Sequence, residues 1–314
     1  YLKGAYDGYQ RDFRFLVTGS GRLDLFKKGG DSLMGRYLSA PLFPLTVGEL
    51  SGRLPSWPQF KESLQDPPPF KPGAAQAYQA LFRYSGFPEP FVKADARFYN
   101  AWFQERKSLL VREDIRNAAA IREISLLETL SHLLPDKIGA PLSINSLRED
   151  VGVAFETVRD WLLLLEQFYY MFRIMPFTGS LARTLRKESK AYLYDWVEVP
   201  QEGPRFENMA ALHLHKAVRT WRAMGEGDIG LHYVRDKEKR EVDFLLTEKN
   251  RPVCLVECKL SDTALSPALT YYQDKFRVPV AVQLVHAAGL CRKTTRAGAA
   301  QWVISADRWL DMLP

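Results

Sequence analysis

Two short apolar runs, residues 241–247 and 252–260, are separated only by Glu248-Lys-Asn-Arg251. A link that short cannot carry a crossover, so the two runs must pair as an antiparallel hairpin. Side chains alternate across a strand, so Leu255, Glu257 and Lys259 share one face while Cys254, Val256, Cys258 and Leu260 share the other. A strand apolar enough to be central therefore carries two opposite charges side by side. Asp243, on the first run, lies where it approaches Glu257. Paired carboxylates suit a hard divalent cation such as Mg²⁺, which takes oxygen ligands and keeps several waters. An ammonium beside them orients an attacking water and stabilises charge on a phosphate. The plain alternative is a surface Glu–Lys salt bridge worth ~0–1 kcal/mol.

The surroundings of the hairpin read as a mixed α/β unit over residues 190–314. A strand over 191–199 precedes a helix over 206–224 and a strand over 229–234. After the hairpin come a helix over 267–276, a strand over 278–285 and a strand–helix pair over 302–313. Gln273 falls on the first of these. Lys249, Arg251, Arg292, Lys293 and Arg296 offer a local basic rim, with a solvated face as the alternative.

Upstream, residues 13–20 read as a buried strand ending at Gly19-Ser20, and residues 42–50, with Pro44, as an edge or irregular strand. The proline-dense Asp66-Pro-Pro-Pro-Phe-Lys-Pro-Gly73 makes 51–73 an irregular excursion. Helical patterns then fill 74–116, and residues 51–116 form a lid-like region. Helices over 118–134, 143–152 and 155–167, followed by a strand-like 169–177, read as a winged helix-turn-helix over 117–178. Its would-be recognition helix holds Glu156, Asp160 and Glu166 against Arg159 alone. That charge repels a duplex, so a scaffold or protein-contact role stands beside DNA readout.

Several classes drop out. Hydrophobic residues are 46% and charged residues 25%, which excludes wholesale disorder. The longest apolar run, near 161–165, is far too short for a membrane span. Three cysteines are too few for a disulfide scaffold, and Cys254-x-x-x-Cys258 lacks the second pair zinc needs, so the expected compartment is the cytoplasm. Net charge is +6, from 43 basic and 37 acidic residues, but the stretch after Lys190 is close to neutral. Nucleic acid remains a candidate partner only through a local patch. A protein partner at the winged helix and an oligomer are the other candidates.

The Asp243 … Glu257-x-Lys259 arrangement resembles the PD-(D/E)XK nuclease superfamily. That resemblance implies that Asp243 and Glu257 hold Mg²⁺, that Lys259 assists the water, and that Glu207, on the preceding helix, orders the site. A second string reads Phe15-Leu-Val-Thr-Gly-Ser-Gly-Arg-Leu, then Gly29-Gly-Asp-Ser-Leu-Met-Gly-Arg36-Tyr, then Phe43-Pro-Leu-Thr-Val-Gly-Glu-Leu50. With Gly86-Phe-Pro88-Glu89 and Arg112-Glu-Asp114-Ile115, it resembles a prokaryotic AAA+-type P-loop ATPase family. In that family a C-terminal domain of unknown function, a winged helix plus a nuclease-like fold, follows the ATPase core.

On that resemblance, residues 1–50 are the end of the core. Thr18 and Ser20 close a sensor-1 strand near the γ-phosphate of ATP, and Arg36 senses phosphate or acts as an arginine finger. Turn chemistry is the alternative for Thr18 and Ser20, and an ion pair for Arg36. The Walker A pattern GxxxxGK[ST] and the Walker B acidic pair are both missing from the sequence. The family order puts them upstream of Tyr1, so the expectation is the C-terminal part of a longer ATPase, unable by itself to hydrolyse ATP. Alternatives are a metal-dependent DNA or RNA nuclease, and a non-catalytic interaction module of the same fold.

Overall fold

The computed structural model describes residues 2–19, 40–116, 123–178 and 188–314. It is a mixed α/β structure. In chain order the helices are α1 (Leu2–Tyr9), α2 (Val47–Leu50), α3 (Trp57–Ser63), α4 (Pro72–Tyr84), α5 (Pro88–Lys93) and α6 (Ala96–Leu109), which runs on as a π-helical turn, Leu110–Ile115. Next come α7 (Ile124–Leu133), α8 (Ile144–Val151), α9 (Phe155–Gln167) and strands β1 (Met171–Pro176) and β2 (Lys190–Leu193). The last third holds α10 (Glu202–Ala223), β3 (Ile229–Arg235), β4 (Glu241–Glu248), β5 (Arg251–Lys259), α11 (Pro267–Phe276), β6 (Val280–Val285), β7 (Cys291–Arg296), β8 (Ala299–Ser305) and α12 (Ala306–Leu310).

The strands form an eight-stranded sheet in the order β2-β1-β3-β4-β5-β6-β8-β7. β4 and β5 pair antiparallel through the two-residue turn Lys249-Asn250, both at positive φ (49° and 60°), the geometry a tight hairpin demands. β5, β6 and β8 are parallel neighbours. Helix α10 packs on one face of the sheet, where Phe206, Met209, Ala210 and Trp221 join Phe244, Cys254 and Val256 in the main core. Helix α11 covers the other face, where Leu269 and Tyr272 meet Val242, Leu245, Leu255 and Ala281. That two-sided burial explains why β5 and β6 read as nearly continuous apolar runs.

Several expectations are corrected. Residues 13–19 form no strand and are exposed, with Phe13 62% and Leu16 91% accessible. A strand needs a partner, and among the described residues none pairs with this segment. Thr18 therefore lies on an exposed, irregular stretch, while Ser20 and Arg36 fall outside the described residues. Residues 42–50 hold no strand either; they end in α2. The excursion over 51–73 contains α3, started by a capping box in which Ser56 and Gln59 bond reciprocally. Its Trp57 and Phe60 are buried against Trp221, at ring distances of 5.0 Å each. The strand expected over 191–199 stops at Leu193, and Trp196–Glu198 form a 3₁₀ turn. β7 was not anticipated, because every residue of it is exposed and no apolar alternation marks it.

Gly86, in the quoted Gly-Phe-Pro-Glu motif, is fixed by close approach. A Cβ there would stand 2.6 Å from the Trp196 ring and 2.7 Å from the Leu45 carbonyl oxygen. No described helix is long and apolar enough to cross a membrane.

Candidate functional site

The acidic site is built where β4 and β5 part. β3 and β4 keep register at His232–Leu245 and again at Val234–Val242, so Tyr233 faces two residues, Asp243 and Phe244. This one-residue bulge re-aims Asp243: its neighbours Val242 and Leu245 face α11, whereas Phe244 packs in the α10-side core. Asp243 thereby reaches the gap between the strands, and its Oδ2 accepts the Cys258 backbone N–H at 2.9 Å.

Asp243 Oδ1 faces an ammonium that the sequence patterns gave no reason to place there. Lys190, at the start of β2 and without solvent exposure, sets its Nζ 3.3 Å from Asp243 Oδ1, 2.9 Å from Glu207 Oε1 and 2.7 Å from Glu241 Oε1. Tyr192 donates its hydroxyl to Glu207 Oε1 at 2.7 Å. The backbone of β2 is held independently. Lys190 pairs with Ile174 on β1 and bridges to Pro141, and the Asn208 amide bonds both backbone groups of Leu193. Burial opposes the Lys190 charge, but the surrounding oxygens of Tyr192, Glu207, Asp243 and Glu241 outweigh it and raise its pKa well above the usual lysine value. Glu207 is pushed up, first by burial and then by the Asp243 charge.

Glu257 and Lys259 form a separate pair, Oε1 to Nζ 2.8 Å. Alternation along β5 sends both toward the α11 side with Leu255, whereas Glu207 stands on α10. Burial, then the charge of Asp243, pushes Glu257 up to about 8. Of the anticipated residues, Glu207, Asp243, Glu257 and Lys259 thus meet in one neighbourhood, with Asp243 as the shared member. Gln273 does not join them; it is buried and bonded to the Ala300 carbonyl and to Gln301. Lys190, Glu241 and Tyr192 are the members that sequence reasoning missed. One signal was available: Glu241-x-Asp243 places two carboxylates on one strand of an otherwise apolar run.

A divalent ion at Asp243 and Glu257 fits these donors poorly. Both Asp243 oxygens are engaged, by Lys190 and the Cys258 N–H, and Glu257 Oε1 is tied to Lys259. Only Glu257 Oε2 lacks a hydrogen-bond partner, whereas Mg²⁺ needs an open octahedral set of oxygens. Among the described residues, no group of three or more His, Cys, Asp or Glu side chains is arranged to hold a metal.

A second feature lies beside α5 and α6, a cleft of about 600 Å³ walled by Phe87, Trp102, Leu109 and Phe168. Arg106 stacks on Phe87 at 4.0 Å, and Glu89, Glu105 and Asp114 line the cleft.

Residues 75–196 match a domain of unknown function, DUF8612, and residues 202–307 match another, DUF4143. The uncharacterized protein MJ1544 of Methanocaldococcus jannaschii is 24% identical over 276 residues, which cover 84% of this chain and 60% of that protein. The chain thus spans three fifths of the length of that relative. No solved structure matches.

Proposed function

We propose that this chain is the C-terminal portion of a larger AAA+-type ATPase, in which the nuclease-like unit is a non-catalytic interaction module. The observation that carries the reading is the acidic site itself, where the carboxylates are engaged from within the fold instead of standing open to a metal and a phosphodiester. The ordered N-terminal motifs support the ATPase half. In the parent, Thr18, Ser20 and Arg36 serve the nucleotide, and ATP hydrolysis rests on Walker motifs outside this sequence. The cleft beside α6, with aromatic walls and acidic groups at its lining, suits a protein segment carrying apolar and basic side chains.

The winged-helix reading of α7–α9 and β1 is kept as a protein contact. Arg173 on β1 is held by both Glu166 oxygens, at 2.9 and 2.6 Å, which leaves it poorly placed for phosphate.

Incubation of the chain with Mg²⁺ or Mn²⁺ and single- or double-stranded DNA or RNA tests the module. No cleavage is expected. Cleavage that disappears in both Asp243→Ala and Lys259→Ala restores the nuclease reading, with Asp243 and Glu257 as its metal carboxylates. For the ATPase half, a chain extended upstream is expected to bind and hydrolyse ATP; an upstream sequence lacking a Walker A loop would refute it.

A further inference from the structure

We propose that Lys190 is the resident cation of the acidic site: its ammonium takes the charge-balancing place that a divalent ion holds in metal-dependent nuclease-like folds, so the chain closes this site without a metal. The inference deepens the non-catalytic reading and rests on it.

Three observations converge on it. First, one Nζ lies within 3.3 Å of oxygens from three carboxylates, on α10 and β4, and its side chain has no exposure. A surface lysine that happened to fold inward would not find three acceptors. Second, the cation and its anions come from different units. Glu207, Glu241 and Asp243 all lie within residues 202–307, which match one family model, while Lys190 lies within residues 75–196, which match another. The second unit brings an excess of negative charge to one point, and the first supplies the positive charge. Third, the ammonium is preorganised. The pairing with Ile174, the bridge to Pro141 and the Asn208 bonds at Leu193 fix the backbone that carries it.

Without that ammonium, three carboxylates would face one another, leaving the Arg235 guanidinium, 2.7 Å from the outer oxygen of Glu241, and the Lys259 ammonium, already paired with Glu257, to offset them. Like charges so placed require a proton or another cation. Their oxygens are the hard donors a divalent ion takes.

The test is a comparison of the full chain with Lys190→Ser, which removes the charge and opens room for an ion with its waters. In chelator, Lys190→Ser is expected to melt well below wild type. Millimolar Mn²⁺ should raise its Tm by about 5 °C or more, with one ion bound per chain in an electron paramagnetic resonance titration. The Lys190→Ser/Asp243→Asn double variant should lose that rescue. Wild type should bind no Mn²⁺ and show no shift. A Lys190→Ser chain that keeps the wild-type Tm, or that folds but ignores Mn²⁺, overturns the proposal. If Lys190→Ser does not fold in either condition, the wild-type titration decides alone. Mn²⁺ bound by wild type and lost in Asp243→Asn overturns the inference, and no bound Mn²⁺ upholds it. Cleavage of nucleic acid by wild type sinks the non-catalytic reading instead, while binding of Mn²⁺ without cleavage sinks only the resident cation.

Discussion

Lys190 and Lys107 are both buried, with side chains 0% and 7% exposed, yet their surroundings drive them in opposite directions. Lys107, on α6, has one carboxylate near it, Glu198 Oε2 at 3.5 Å, and donates to the Ser131 carbonyl at 3.1 Å. Burial outweighs that single charge and lowers its pKa. Glu198 in turn is pushed up to about 7, chiefly by burial, although Tyr170 donates to its Oε2 and Lys107 opposes the shift. Around Lys190 the balance reverses, because three carboxylates share one ammonium. Desolvation is charged once per ion, whereas attraction adds with each partner. One buried ion pair is a marginal arrangement, and one cation among several anions is a firm one.

The sharpest way to break this contrast is Lys190→Met, which keeps the stem and removes the charge. Removing one partner of a buried ionic group costs about 3–5 kcal/mol, and with three carboxylates left behind the upper end is expected. Urea unfolding at neutral pH measures it. The loss should shrink on acidification, as the abandoned carboxylates take up protons. A loss below about 1 kcal/mol at neutral pH would mean that Lys190 balances nothing.

Glu198→Gln acts on the weaker cluster and has the opposite sign. The folded pKa of Glu198, about 7, lies above its ordinary value of 4.5, so the folded state binds the proton more tightly. Its contribution to stability is whole below pH 4.5, is lost as pH rises from 4.5 to about 7, and stays lost above that. Glutamine mimics the protonated form. The variant should match wild type near pH 4 and exceed it by about 2–3 kcal/mol at pH 8, measured by unfolding at both pH values. Equal stability at pH 8 would show that Glu198 ionises freely in the fold.

The sequence made one of these clusters half legible and left the other hidden. The hairpin was readable because a four-residue polar link between apolar runs admits no other pairing, and Asp243, Glu257 and Lys259 followed from strand alternation. α11 was readable from Pro267 at its start and its apolar spacing. Lys190 was not, because its contact with Asp243 spans 53 positions and nothing local distinguishes it from a solvated lysine opening a strand. The bulge at Asp243 was equally silent, since it depends on the register of β3 against β4. α3 was misread for a different reason. The prolines that follow it suggested irregular chain, although Ser56-x-x-Gln59 carried the capping signature. The segment 13–19 failed in the other direction, since its apolar residues signal a strand but cannot supply the partner that makes one.

Lys107 and Lys137 complete the series at its weak end. Lys107→Met removes a cation whose pKa burial already lowers, and Glu198, pushed up to about 7, answers by taking up a proton. The expected loss is about 1 kcal/mol at neutral pH, set mainly by the hydrogen bond to the Ser131 carbonyl. Lys137 pairs with Asp150 at 3.0 Å, closer than Lys190 lies to Asp243, but the two side chains are 35% and 40% exposed. Water screens that attraction and supplies the alternative partners, so distance alone says little about its worth. Lys137→Met should cost less than about 0.5 kcal/mol, and the difference should vanish at high salt. If chemical denaturation instead ranked Lys137 above Lys107, proximity and not the count of desolvated partners would govern these lysines, and the case for Lys190 as a fixed internal cation would lose its physical basis.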